Sequence, residues 1–291
     1  MTKHSADVLT LGHSPDPDDA FMFYAMAENK IDLRGYRFEH RLEDIQTLNE
    51  RALRGELHIS AISIHAYAYV ASKYALLPCG ASMGDGYGPI VITKHTTHNA
   101  DSPGDFAAQN FLADKKIAVP GKMTSAFLAL QLFLGEFNYI VVPFDQIFDA
   151  VSNGRADAGL IIHEGQLTFA KSGFDQVVDL GERWKARTGL PLPLGGNVVR
   201  KDIPKRVRHD LSEIIGESIN YGLAHRDEAV RHSLPYARDM DEELTGKFIG
   251  MYVNELTRDY GEVGRAAIRK FLVEAHDKGY IADPVAVEFV A

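Results

Sequence analysis

The sequence predicts a two-lobed α/β protein, each lobe a mostly parallel sheet flanked by helices, and three observations carry that prediction. Short apolar runs alternate with helix-period segments from Asp7 to about Val199. The chain has 291 residues, about twice the length of roughly 150 residues expected of one domain. One ten-residue layout also occurs twice.

The alternation is the signature of βα units. Val8 to Leu11 reads as a first strand, and Asp18 or Asp19 can cap a helix whose apolar face includes Phe21, Tyr24 and Ala25. Tyr36, Phe38, His40 and Leu42 alternate with polar residues as a second strand. A helix from Glu43 follows, with Gly55 as its stop. Gly88 to Lys94, Ile117 to Val119, Tyr139 to Val142 and Leu160 to Ile162 are further strands. Thr124 to Leu134 and Asp145 to Ser152 are helices between them. Asn197 to Arg200 reads as a return crossing. Four helices complete the chain: Pro204 to Ala224, Arg226 to Tyr236, Asp241 to Leu256 and Glu262 to Lys278.

The length sets the division. The polar stretch from Lys94 to Asp105 marks a lobe boundary, so residues 94–196 form the smaller lobe, and 1–93 with 197–291 the larger, discontinuous one. A ligand cleft is expected where they meet.

The repeated layout is Ala52-Leu53-Arg54-Gly55-Glu56-Leu57-His58-Ile59-Ser60-Ala61 against Val151-Ser152-Asn153-Gly154-Arg155-Ala156-Asp157-Ala158-Gly159-Leu160. Each is a helix end, a glycine, a turn, a polar residue three positions on, and a strand. Ser63 lies eight residues past Gly55, and Ile162 and His163 lie eight and nine past Gly154. Both sets therefore fall at the carboxyl ends of strands, where open α/β sheets place ligands. Chance repetition of a common βα layout is the plainer explanation. Two related lobes are the sharper one.

Composition excludes several classes. Hydrophobic residues at 45% and charged residues at 24% suit a globular protein. A net charge of −9 argues against a nucleic-acid partner, which would need clustered Lys and Arg. Cys79 is the single cysteine, so no intramolecular disulfide or multi-cysteine metal site is expected. The segment from Met1 to Ser14 carries Lys3, His4, Asp7 and His13 and lacks an export signal's apolar core, and no apolar run reaches membrane-spanning length. A cytoplasmic protein with no membrane partner is the expectation.

Several motifs invite chemistry. The apolar strand Ala158 to Ile162 ends in His163-Glu164, placing an imidazole that titrates near neutrality beside a carboxylate. With 12 histidines in the chain, a structural role competes with that of a general base. Gly165, Gln166 and Leu167 offer no second ligand for zinc. Pro120 to Ala126 joins a strand to a helix with Thr124 and Ser125 in the first turn, either as a simple cap or as a site for a substrate carboxylate. Ser14-Pro15-Asp16-Pro17-Asp18-Asp19 is a rigid loop, read as a cleft lining, an acidic metal site or a helix cap. Gly80-Ala81-Ser82-Met83-Gly84 matches G-x-S-x-G, but a loop rather than a helix follows it.

Taken together, these residues resemble the 1,4-dihydroxy-6-naphthoate synthase family of the futalosine route to menaquinone. The likeness covers nearly the whole chain. It runs through Ser14-Pro15-x-Pro17-x-Asp19, Leu42-Glu43-Asp44-x-x-Thr47-Leu48-Asn49, Gly88-Pro89, Val119-Pro120-Gly121, Gly159-Leu160-Ile161-Ile162-His163-Glu164, Val178-Asp179-Leu180-Gly181, Thr188 to Gly195 and Tyr252-Val253-Asn254. The resemblance implies a type II periplasmic-binding-protein-like fold. It further implies a lyase that uses no cofactor and no metal, and that splits a carboxylate substrate, cyclic dehypoxanthine futalosine, into the naphthoate and a dihydroxyacetone fragment. His163 matches the family's base, and Asn49, Ser63, Ser125, Ile162 and Leu194 match pocket positions. Thr124 is added from the helix-start argument.

The chain departs from the family where Asp16, Asp18 and Ala20 replace a thiol, an amide and a hydroxyl. Beside an anionic substrate the new carboxylates are unfavourable unless they point away or are paired. Three rival readings remain: a non-enzymatic solute-binding protein, the sister enzyme chorismate dehydratase, and a calcium- or zinc-dependent hydrolase. The sequence does not fix the oligomeric state.

Overall fold

The computed structural model describes residues 8–95, 105–238 and 240–291. In chain order its strands are β1 (Val8–His13), β2 (Arg37–Leu42), β3 (Ile59–Ser63), β4 (Tyr74–Leu76), β5 (Ser82–Gly84), β6 (Ile90–Lys94), β7 (Lys116–Val119), β8 (Asn138–Val141), β9 (Ala158–Ile161), β10 (Phe174–Asp179) and β11 (Leu192–Arg200). They form two sheets, and the chain divides into two units. Unit 1 comprises Met1–Ser82, Gly195–Gly261 and Ala286–Ala291, and unit 2 comprises Met83–Leu194 and Glu262–Val285.

In unit 1 the strand order is β2-β1-β3-β11-β4, with β5 joined to β11. β1 runs parallel to β2 and β3, and β11 antiparallel to β3 and β4. Helix Pro17–Ala27 buries almost every side chain, because Phe21, Met22, Phe23 and Met26 pack with Ile214, Ile215 and Ile219 of helix Lys205–Ala224. Each such side chain removed from water contributes about 1.5–3 kcal/mol. Helix Ile45–Arg54 starts where the Asp44 carboxylate accepts the N–H groups of Gln46 (3.0 Å) and Thr47 (3.1 Å).

In unit 2 the order is β10-β6-β9-β7-β8. β7 runs parallel to β8 and β9, while β6 is antiparallel to both β9 and β10. Ile90, Ile92, Ala118, Ile147, Val151, Ile161 and Phe174 make its core.

The two sheets repeat one plan. β3 and β9 each have a parallel neighbour on one side (β1, β7) and an antiparallel one on the other (β11, β6). The glycines of the repeated layout share one backbone state, with φ of +71° at Gly55 and +70° at Gly154. A side chain in that left-handed region costs about 1–2 kcal/mol. The echo in sequence is thus an echo in topology.

The units differ in detail from the division drawn at 94 and 196. β6 pairs with β9 and β10 and so belongs to the second sheet. Helix Gly261–Asp277 supplies Phe271, which meets the Trp184 ring edge-on at 5.4 Å, and Glu274, which pairs with Arg187 at 2.8 Å. These contacts place Glu262–Val285 in unit 2. Most of the polar stretch proposed as a boundary, residues 96–104, lies outside the described residues, as do residues 1–7 of the amino-terminal segment.

Candidate functional site

His163 lies two residues past the carboxyl end of β9. The residue is buried, with only 8% exposed. Phe144 and Phe148 meet it edge-on, with ring centroids 5.6 and 6.0 Å away at 72° and 81°. The backbone N–H of Gly165 donates to His163 Nδ1 at 3.0 Å. Glu164 Oε2 lies 3.7 Å from the same nitrogen, beyond hydrogen-bond range. A neutral ring whose Nδ1 accepts carries its proton on Nε2.

The general-base expectation therefore meets a specific geometry, in which the Nδ1 lone pair is already engaged. Ile162, half-buried, lies between β9 and this histidine.

Thr124 and Ser125 open helix Ser125–Leu134. Thr124 is its cap: Oγ1 accepts the Phe127 N–H at 3.1 Å and donates to the Gly121 carbonyl at 2.9 Å. Ser125 Oγ donates to the Leu194 carbonyl at 2.5 Å, so two of the expected pocket residues meet directly. The helix start presents the positive end of its dipole beside them.

In unit 1, Asn49 and Ser63 form a mutual pair. Asn49 Nδ2 donates to Ser63 Oγ at 3.0 Å, and the Ser63 N–H donates to Asn49 Oδ1 at 2.9 Å. Both are buried. Ser63 closes β3 as His163 follows β9, so the repeated layout delivers polar residues to the same end of each sheet.

In the altered loop, Asp16 is paired within unit 1. Asp16 Oδ1 accepts from Arg238 at 3.3 Å. Asp19 is buried and accepts the Ser14 N–H at 2.6 Å, while burial and the Asp18 charge push its carboxyl well above the ordinary range. Ser82 begins the short strand β5, not a strand-to-helix turn, so the G-x-S-x-G match lacks its structural context. Among the described residues no three His, Cys, Asp or Glu side chains are grouped to hold a metal ion. No described helix is long and apolar enough to cross a membrane.

One polar pair at the same end of the first sheet has no counterpart in the sequence reading. His13, the last residue of β1, is buried and its Nε2 lies 3.0 Å from His40 Nδ1 on β2. His13 Nδ1 lies 3.2 Å from the Ser14 carbonyl oxygen, which can only accept, so Nδ1 carries the proton and Nε2 accepts from His40. Burial and the neighbouring His40 lower the pKa of His13 to about 3. The signal was a histidine closing the first strand and another on the second strand's inward face.

Two three-strand parallel blocks, each with an antiparallel return strand, and polar residues at their carboxyl ends define a two-unit α/β protein of the periplasmic-binding-protein fold. The alkanesulfonate-binding protein of Xanthomonas axonopodis pv. citri shares that fold at a TM-score of 0.72 and 10% identity, covering 98% of both chains. A Candida albicans protein described as having the generic periplasmic binding protein fold gives 0.70 and 15%, covering 95% of this chain and 91% of its own. The profile of the menaquinone biosynthesis family matches residues 9–277, and the chain belongs to that family.

Its similarity to two members is nearly full-length. The 1,4-dihydroxy-6-naphthoate synthase of Thermus thermophilus is 37% identical over 276 residues, 95% of this chain and 97% of that protein. The synthase of Streptomyces coelicolor is 34% identical over 283 residues, 95% and 96% of the two chains. A crystal structure from Archaeoglobus fulgidus superposes with a TM-score of 0.88 at 42% identity, covering 96% of this chain and all of that one. The chain is accordingly an enzyme of menaquinone biosynthesis.

Proposed function

We propose that this chain is a cytoplasmic, cofactor-free carbon–carbon lyase of the futalosine route, converting cyclic dehypoxanthine futalosine to 1,4-dihydroxy-6-naphthoate and a dihydroxyacetone fragment. The observation that carries the reading is the 37% and 34% identity to two synthases of that name, across 95% of the chain. The sulfonate-binding relatives share only the fold, at 10% identity, and a fold does not carry a function.

In this reading the start of helix Ser125–Leu134 receives the substrate carboxylate, with Thr124 and Ser125 fixing the turn that aims its N–H groups. The Asn49–Ser63 pair orients the sugar-derived ring, and Ile162 and Leu194 supply apolar walls. His163 acts as the general base that removes a proton as the ring carbons separate, and formation of the second aromatic ring drives the reaction forward. Such a residue contributes about 10² to 10⁴ in rate, with positioning and exclusion of water supplying the rest.

The test is His163→Ala, assayed on the cyclic futalosine derivative with circular dichroism as the folding control. Turnover should fall by about a hundredfold or more with the fold unchanged. Turnover close to that of the parent would remove His163 from the mechanism.

A further inference from the structure

We propose that unit 2 carries a second ligand site, a pocket that takes a small aromatic carboxylate between helices Asp105–Leu112, Ser125–Leu134 and Leu180–Thr188. Its cavity of about 260 Å³ falls just below the range of roughly 300–1,000 Å³ typical of drug-sized ligands, so it suits a one- or two-ring molecule. None of the residues assigned to the proposed reaction lines it. Ala129, Leu132 and Phe133 enter it one and two turns past Ser125, on the later part of the same helix.

The floor is apolar. Leu132, Leu180, Trp184 and Leu192 line it, and each is buried. Three contacts fix Trp184: its Nε1–H donates to the Pro191 carbonyl at 3.1 Å, Phe271 meets its ring edge-on at 5.4 Å, and the Arg187 guanidinium lies 5.0 Å from the ring centroid. A surface held in this way loses little freedom on binding.

The rim is cationic. Among the described residues, Arg183, Arg187 and Lys278 line the pocket with a single acid, Asp105. In a chain of net charge −9 that excess is local. Asp105 takes Arg183 at 3.0 Å, while Glu274, outside the pocket lining, takes Arg187 at 2.8 Å and lies 3.8 Å from Lys278. Three cations thus meet two carboxylates. The Glu274 pair uses Nη1 of a half-exposed guanidinium, a group that carries five N–H donors. A ligand carboxylate supplies the third negative charge, and the planar fork of an arginine can bind it at two points. A bare inorganic anion would leave the apolar floor in water, and an uncharged arene would leave the cations unanswered.

The chain has one tryptophan, so its indole N–H gives a single proton–nitrogen signal that reports on the pocket floor. The full chain labelled with nitrogen-15 is titrated with 2-naphthoate, and with 2-naphthylmethanol and acetate as the uncharged and the ring-free probes. The indole signal should move saturably with 2-naphthoate, reaching half-saturation at about a tenth or less of the concentration either control needs. Arg187→Gln should raise that half-saturation about tenfold or more, and Glu274 keeps Lys270 and Lys278 at 3.9 and 3.8 Å, so its charge is not stranded. Ala129→Met, which fills the floor without altering a charge, should weaken binding to a similar degree and decides the matter should the arginine variant unfold. No movement with 2-naphthoate, equal movement with the alcohol, or an affinity that the folded variants leave unchanged would overturn the proposal. Turnover of the cyclic futalosine derivative is a separate readout, so the failure of this site leaves the proposed function standing, and the reverse holds.

Discussion

Asn49 is fully buried, and it holds Ser63 through two hydrogen bonds. Asn49→Ala strands the buried Ser63 N–H, so it should lower unfolding free energy by about 1–3 kcal/mol in a urea titration. Cys79 gives the opposite kind of prediction. Burial raises its thiol pKa to about 12, so the native protein should resist alkylation at neutral pH and react only when unfolded.

His13 carries a pH signature whose sign follows from linkage. Its folded pKa, about 3, lies below the ordinary 6.5, so between those values the unfolded chain binds more protons. The stability it contributes is full above pH 6.5 and is lost as pH falls toward 3, by on the order of a few kcal/mol. Burial lowers His40 in the same direction. Asp19 and Asp179, raised by burial, the latter to about 6, act oppositely and gain stability as pH falls. His13→Gln isolates the histidine: the parent-minus-variant difference in unfolding free energy should be flat above pH 7 and decline below about 6.5. A difference independent of pH would show that His13 is not held neutral.

The elements the sequence declared best were those with a local punctuation mark. Gly55 and Gly154 announced two helix ends because only a glycine takes a φ near +70° without strain, and both helices end there. Asp44→Ala should cost about 1 kcal/mol through the lost cap, and Gly154→Ala about 1–2 kcal/mol through the strained turn, both read from denaturant midpoints.

Elements without such marks escaped. Helix Leu180–Thr188 is mostly polar and is held by Trp184, whose Nε1–H reaches the Pro191 carbonyl at 3.1 Å, and strand β10 is an antiparallel edge beside it. Neither carries an apolar period strong enough to announce it. β6 was legible as a strand, but its sheet was not, because pairing to β9 and β10 is a long-range fact. The candidate site divides the same way. His163 stood out as a histidine ending an apolar strand, whereas its link to Gly165 is backbone geometry. The His13–His40 pair depends on the register of two strands 27 residues apart.

At the scale of the whole molecule, two units built on one plan bring polar residues to corresponding strand ends, and full-length similarity ties them to menaquinone biosynthesis. The departure at Asp16 and Asp18 does not leave a bare charge pair, since Arg238 takes Asp16 within unit 1. The central claim is the reaction, and one assay tests it most directly. The purified chain is incubated with cyclic dehypoxanthine futalosine, and with chorismate in parallel, and the products are identified by mass. The account predicts 1,4-dihydroxy-6-naphthoate and a three-carbon fragment in equal amounts from the first and no dehydration of the second. A folded protein that leaves the futalosine derivative intact, or that dehydrates chorismate, would contradict it.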